Sequence, residues 1–253
     1  MQRPPGFGRP LILSNRAVND WISRVALKHR EFTSLELSPV QNDRIRQWLE
    51  VTFVWSTLKL EGLAVTEADV SDVVASAKPR PAATPQTEIE VIALLRGIRL
   101  LRDLARSGPG AGLTSDLLFR LLGTGEFRKS PGETGGPAKP VAPEHLPVSV
   151  ESACRWFSAE SFAELNPIEQ ASIVHLRLLE IQPFAEGNQR IALLAASLFT
   201  LRSGLPPVMI VPDLAGAYAR ALEESRSGNT QPMVELMGNA VERSLLQMIR
   251  LAA

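Results

Sequence analysis

The chain has 253 residues, enough for one large domain or one domain with an appendage. Apolar residues make up 45% and charged residues 21%, the balance of a globular protein and too apolar for a disordered one. Lysine plus arginine numbers 27 and aspartate plus glutamate 27, so no global field exists to draw in nucleic acid or an anionic membrane. A single cysteine, Cys154, excludes an intrachain disulfide and a thiolate metal cluster. The three histidines, His29, His145 and His175, show no metal-ligand spacing. The longest uncharged apolar run, Ile191 to Leu201, is far short of the ~20 residues that span a bilayer. The first ten residues hold no apolar signal core. The expectation is a cytoplasmic protein without a membrane partner.

Helical periodicity dominates from start to end. A first helix is predicted over about Val18 to His29 and a second from Ser38-Pro39 to Leu60, stopped by Gly62. Thr66 and Asp69 form a capping pair that opens a short helix to about Ser76. Ser76 to Gln86 holds three prolines and reads as a linker. A long helix follows from Thr87 to Arg106, and Gly108-Pro109-Gly110 breaks it. Thr114 caps the next, to about Leu122. Between Pro131 and Pro147 five prolines and three glycines interrupt all periodicity. A loop of that length, spanning 123–147, is either functional or a tolerated surface insertion.

Helices resume near Ser149. Asn166-Pro167 with Glu169 is a strong helix start, and the helix to Ile181 is apolar on most sides, which marks it as buried. Further helices are expected over about Asn188 to Leu201, Leu214 to Glu223 and Pro232 to Leu251. The architecture read from this pattern is all-α, with one hairpin in the 123–147 region.

The two central helices meet at Ile181-Gln-Pro-Phe-Ala-Glu-Gly-Asn-Gln-Arg190. Gly187 and Asn188 stand at a helix N-terminus, whose free N–H groups and positive dipole attract anions. Arg190 adds a cation, and Glu186 offers a carboxylate that could bridge Mg²⁺ to a phosphate. Two readings stay open on these residues alone: a phosphate–Mg²⁺ site, or an ordinary Gly-Asn turn with Arg190 paired to Glu186.

The segment resembles the signature of the Fic (Fido) family, H-P-F-x-(D/E)-G-N-G-R-x-x-R. This chain reads Q-P-F-A-E-G-N-Q-R-I-A-L, matching at Pro183, Phe184, Glu186, Gly187, Asn188 and Arg190. Gly125-Glu-Phe127-Arg128 is similar to the family's G-x-(F/Y/W)-R, which opens a flap that clamps a target polypeptide by strand pairing. Thr57-Leu-Lys-Leu-Glu61-Gly62 is similar to the inhibitory motif (S/T)-x-x-x-E-(G/N). The resemblance covers about residues 45 to 210. It implies an all-α Fic-like bundle with a small β-hairpin flap. The expected division is a helical region with an inhibitory-type helix over 1–107, a Fic-like core over 108–210, and C-terminal helices packing on it over 211–253.

The resemblance further implies ATP or another nucleotide with Mg²⁺ as cofactor, Gly187, Asn188, Gln189 and Arg190 around the phosphates, Glu186 on the metal, and a target protein on the flap. Family enzymes transfer AMP to a target hydroxyl, with the motif histidine as general base. Here that position is Gln182, whose carboxamide can orient a hydroxyl but cannot take its proton. Gln189 replaces the second motif glycine, and Leu193 replaces the last arginine, which in the family grips the γ-phosphate and pairs with the inhibitory glutamate. Doc-type members, reading N-K-R-T-A-L, share these two changes and transfer phosphate, but they keep the histidine. Glu61 is thus inhibitory, catalytic in AMP removal, or a capping carboxylate. His175 reads as a packing histidine. Three functions remain: a nucleotide- or protein-binding Fic chain with adenylylation lost or strongly reduced; an active transferase or de-AMPylating enzyme of altered chemistry; and a non-catalytic regulatory module. Neutral charge and no evident helix-turn-helix speak against nucleic acid. A homodimer is compatible with the sequence.

Overall fold

The computed structural model describes residues 15–75, 85–107, 112–132 and 140–253. The helices are α1 (Asn15–Thr33), α2 (Pro39–Leu60), α3 (Glu67–Ala75), α4 (Pro85–Arg106), α5 (Ser115–Leu122), α6 (Leu146–Phe157), the single turn α7 (Glu160–Ala163), α8 (Pro167–Ile181), α9 (Asn188–Arg202), α10 (Ala215–Arg226) and α11 (Gln231–Ala252). Among the described residues there is no strand. The flanks of the expected flap, 123–132 and 140–145, are irregular apart from a 3₁₀ turn at Pro143–His145, and its middle, 133–139, lies outside the described residues. So do Gly108-Pro109-Gly110 and most of the Ser76–Gln86 linker.

Sequence chemistry explains the helix ends. Ser38 and Gln41 form a reciprocal capping box on α2, as Asn166 and Glu169 do on α8. Thr66 and Asp69 exchange the same bonds ahead of α3, and the Thr114 hydroxyl accepts from the Leu117 N–H to start α5. Several helix ends differ from expectation. Helix α6 begins at Leu146, ahead of Ser149, because Pro147 falls in the first turn, where its missing N–H costs nothing. Pro85 likewise brings Pro85 and Gln86 into α4. Helix α1 runs on to Thr33, past His29, with Phe32 packed against the core.

Helices α8 and α9 form the central hairpin. All ten residues from Ile191 to Thr200 are buried, so α9 is enclosed on every side, by α8 and by α4 and α5. Helix α11 lies over α8 and also carries α1, α2 and α10. Trp21 of α1 lies flat against Gly238 of α11, where an added Cβ would stand 2.6 Å from the indole. Helix α2 is fastened to α4 by buried Glu50, which accepts from Arg99 Nη2 at 2.6 Å and Arg102 Nη1 at 2.7 Å. Burial pushes the Glu50 carboxyl up, but the two guanidinium groups outweigh it and hold it below its ordinary range. The buried hydrophobic residues of all these elements form one cluster.

Candidate functional site

Helix α2 ends in a Schellman turn. The Gly62 N–H bonds the Lys59 carbonyl and the Leu63 N–H bonds the Leu58 carbonyl, each at 3.0 Å. Gly62 takes the left-handed conformation this turn needs, with φ +82°. The turn leaves Glu61 as the C-cap residue, its side chain reaching to the start of α9. Thr57, the first residue of the same motif, is buried.

At the other side of the site, α8 ends on Gln182. Among the described residues this is the one non-glycine with a positive φ, 47°. Histidine, asparagine and aspartate are enriched in that backbone region, so the position suits the histidine it lacks. The Gln182 side chain is buried against the flank of the expected flap: a Cβ on Gly132 would come within 2.7 Å of its Oε1. From there the chain loops through Pro183 and Phe184, both buried, to α9. Asn188 closes this loop on itself. Its Oδ1 accepts from the Phe184 N–H at 3.0 Å, and its Nδ2 donates to the Phe184 carbonyl at 2.8 Å. Gly187 is left-handed, with φ +74°, and a Cβ there would meet Leu122 Cδ1 at 2.7 Å. Both the torsion and the contact demand glycine.

The loop presents the N-terminus of α9, which carries no side-chain cap from its own N-cap residue, Gly187. An acid from another helix takes that place. Glu61 Oε1 accepts from the Arg190 backbone N–H at 3.1 Å, and Oε2 lies 2.7 Å from Arg190 Nε. Glu61 therefore sits as an anion across a helix N-terminus and a guanidinium. A second carboxylate, Glu90 on α4, pairs with Arg190 Nη1. Burial holds the Glu61 carboxyl above its ordinary range, and the contacts from Arg190 only partly offset it. Of the other motif residues, Glu186 is exposed on the loop, Gln189 is half-buried, and Leu193 lies in the core at 1% exposure. The Arg190–Glu186 pairing considered from sequence gives way to Glu61 and Glu90 as the partners of Arg190.

Arg128 ties its own segment and Val141 to the motif loop. Buried, it donates from Nε to the Gln182 carbonyl at 2.6 Å and from Nη1 to the Ser130 carbonyl at 2.7 Å. Its Nη2 donates to the Val141 and Ile181 carbonyls. Its backbone N–H bonds the Pro183 carbonyl at 3.0 Å. Burial lowers its pKa from the usual guanidinium value. Phe127 stacks with Phe119 and Phe184, ring centroids 4.8 and 6.2 Å away, and Gly125 leads into this turn. Below the loop, His175 Nε2 and the Tyr218 hydroxyl share a hydrogen bond of 2.9 Å. Burial pushes His175 down to about 4 and raises Tyr218, which the nearby Glu61 charge raises further.

Glu90 and Tyr218 had no sequence signal. An acid near a helix start is ordinary helix chemistry, and a lone tyrosine on an amphipathic helix reads as core. Glu61 meets the 182–190 segment at Arg190, and Arg128 meets it at Gln182 and Pro183. Among the described residues no three histidines, cysteines or acids gather as a metal site.

Residues 112–200 match the family model of the Fic/DOC family. Over that stretch the chain is similar to the Fic/DOC family. Relatives agree: the protein adenylyltransferase fic-1 of Caenorhabditis briggsae is 26% identical over 266 residues, 97% of this chain and 51% of its own length. The chain thus spans about half the length of that curated relative. The Fic-1 structure from C. elegans superposes with a TM-score of 0.81 at 24% identity, covering 92% of this chain and 72% of that one. A Fic-domain signalling protein from Bacteroides thetaiotaomicron gives 0.80 at 23%, covering 92% and 97%. These likenesses establish the fold.

Proposed function

We propose that this chain binds the phosphates of a nucleotide and a target polypeptide, with transfer of AMP to target hydroxyls lost or strongly reduced. The supporting observation is the carboxylate of Glu61 spanning the Arg190 N–H and guanidinium, because it occupies donors that an anion would use, beside a position, Gln182, that has no base. The donors suit a phosphate group. Mg²⁺ commonly binds through one or two carboxylates plus ligand phosphates, so exposed Glu186 would hold it and no preformed cluster is required. When bound, such a nucleotide supplies the phosphoryl electrophile. The residues of this chain supply only binding and orientation. Leaving out a positioned base costs ~10²–10⁴-fold in rate. The flap base, fixed by Arg128 to the motif loop, would hold the target near Gln182.

The test combines Glu61→Gln with Gln182→His and reads self-adenylylation by mass after incubation with Mg·ATP. Glu61→Gln alone should bind Mg·ATP without gaining mass, and adding Gln182→His should raise AMP transfer by about 10²-fold or more. Leu193 stays unchanged in this variant, because an arginine there would bury a charge in the core. Wild-type modification of itself or a target that disappears in Arg190→Ala would overturn the proposal. A second reading, AMP removal, draws support from the raised Glu61 carboxyl, suited to proton transfer next to the anion site. It requires release of AMP from an adenylylated threonine peptide, abolished by Glu61→Gln.

A further inference from the structure

Arg190 is shared by two acids from two different helices. Glu61, at the end of α2, takes Nε and the backbone N–H; Glu90, on α4, takes Nη1. The three side chains are only 11% (Arg190), 13% (Glu61) and 17% (Glu90) exposed, so solvent screens their attraction weakly. Leu193, one turn further along α9, is apolar and buried, and among the described residues Glu61 forms its ion pair with Arg190.

The consequence follows from counting charges. One cation facing two carboxylates leaves the site with a net charge of −1 before Glu186 is included. Withdrawing Glu61 alone opens the α9 N-terminus but leaves Arg190 neutralised by Glu90. Withdrawing Glu90 alone leaves Glu61 both in the anion position and against the guanidinium. A phosphate gains both the free N–H and an uncompensated guanidinium only when both acids have left.

We propose that Glu90 is a second brake on the anion site, acting through Arg190, so that an anionic ligand binds at full strength only when α2 and α4 both release the arginine. The proposal rests on the nucleotide-binding reading and adds to it the residue that controls access. Glu90 is a positioning residue: it sets the charge and direction of the Arg190 fork and has no part in chemistry on a ligand.

The experiment measures binding of inorganic pyrophosphate and of Mg·ATP to the full chain as wild type, Glu61→Gln, Glu90→Gln and the double variant. Both substitutions keep side-chain shape, and thermal unfolding checks that each folds. A ligand's apparent affinity scales with the fraction of protein in the competent state. The double variant should therefore bind about tenfold or more tightly than Glu61→Gln, which in turn should bind more tightly than the wild type. A second readout needs no phosphate: the rate of phenylglyoxal modification at Arg190, followed by peptide mass spectrometry, should rise several-fold in Glu90→Gln. Equal binding by Glu61→Gln and the double variant would overturn the brake while leaving the nucleotide reading intact. If no variant binds either probe yet Glu90→Gln accelerates Arg190 modification, the nucleotide reading fails and the hold of Glu90 on Arg190 stands. If neither changes, both fall.

Discussion

Gly187 shows how closely one position is specified. Its positive φ would cost an alanine roughly 1 kcal/mol or more, and the methyl would also press on Leu122. Gly187→Ala should destabilise the chain by about 2 kcal/mol or more and weaken anion binding, checked by urea unfolding and by a pyrophosphate titration of the Glu61→Gln background. Arg128 is specified by its carbonyl acceptors. Replacing it by methionine keeps the stem but takes the donor from the buried carbonyls of Gln182 and Ile181. A loss of about 2–3 kcal/mol is expected in the same assay. Much of this was legible. The motif spelled out Gly187, Asn188, Arg190 and Arg128, because torsional and donor requirements leave few residue choices. The destination of the Glu61 carboxylate was not, since it depends on where α2 ends relative to α9, which is tertiary geometry. The same holds for His175, read as a packing histidine, whose Tyr218 partner no spacing could name.

Among the elements, the helices were visible because caps and apolar faces are written locally. Asn166-Pro167 fixed the start of α8, and its apolar residues on most sides marked it as a buried helix, as Ile168, Val174 and Leu178 are. Helix pairing was invisible. Nothing in the local pattern says that α1 meets α11 or that Trp21 needs a glycine 217 residues later, at 238. That contact makes a direct prediction. Gly238→Ala raises intrinsic helix propensity but drives a methyl into the indole, and overpacking of this kind costs about 1–3 kcal/mol. The net effect should be a lower melting temperature. Trp21→Leu in the same background should recover part of the loss by making room.

Across the whole molecule, buried ionisable groups set the response to acid. His175 takes its proton near pH 6.5 in the unfolded chain and not until about 4 in the fold. The unfolded state therefore binds more protons between those values, and stability falls by roughly 3 kcal/mol as pH drops through that window. Glu50, held below its ordinary range, contributes stability that is complete above its unfolded value and is lost as pH falls through its folded one. Glu61 acts with the opposite sign: its raised carboxyl favours the fold as it protonates. Urea midpoints between pH 7.5 and about 4.5 should fall steadily in the wild type, and His175→Gln should flatten most of that slope.

The Glu50 fastening has a mechanical meaning. On α2 it lies 11 residues before Glu61, roughly 16 Å along the helix. Its partners on α4, Arg99 and Arg102, lie 9 and 12 residues beyond Glu90. The two helices run antiparallel from this rivet toward Arg190, like the arms of tweezers joined at the hinge, each carrying an acid at its tip. Slackening the hinge with Glu50→Gln should let the tips part more often, and so raise pyrophosphate binding at a site that Glu50 never touches.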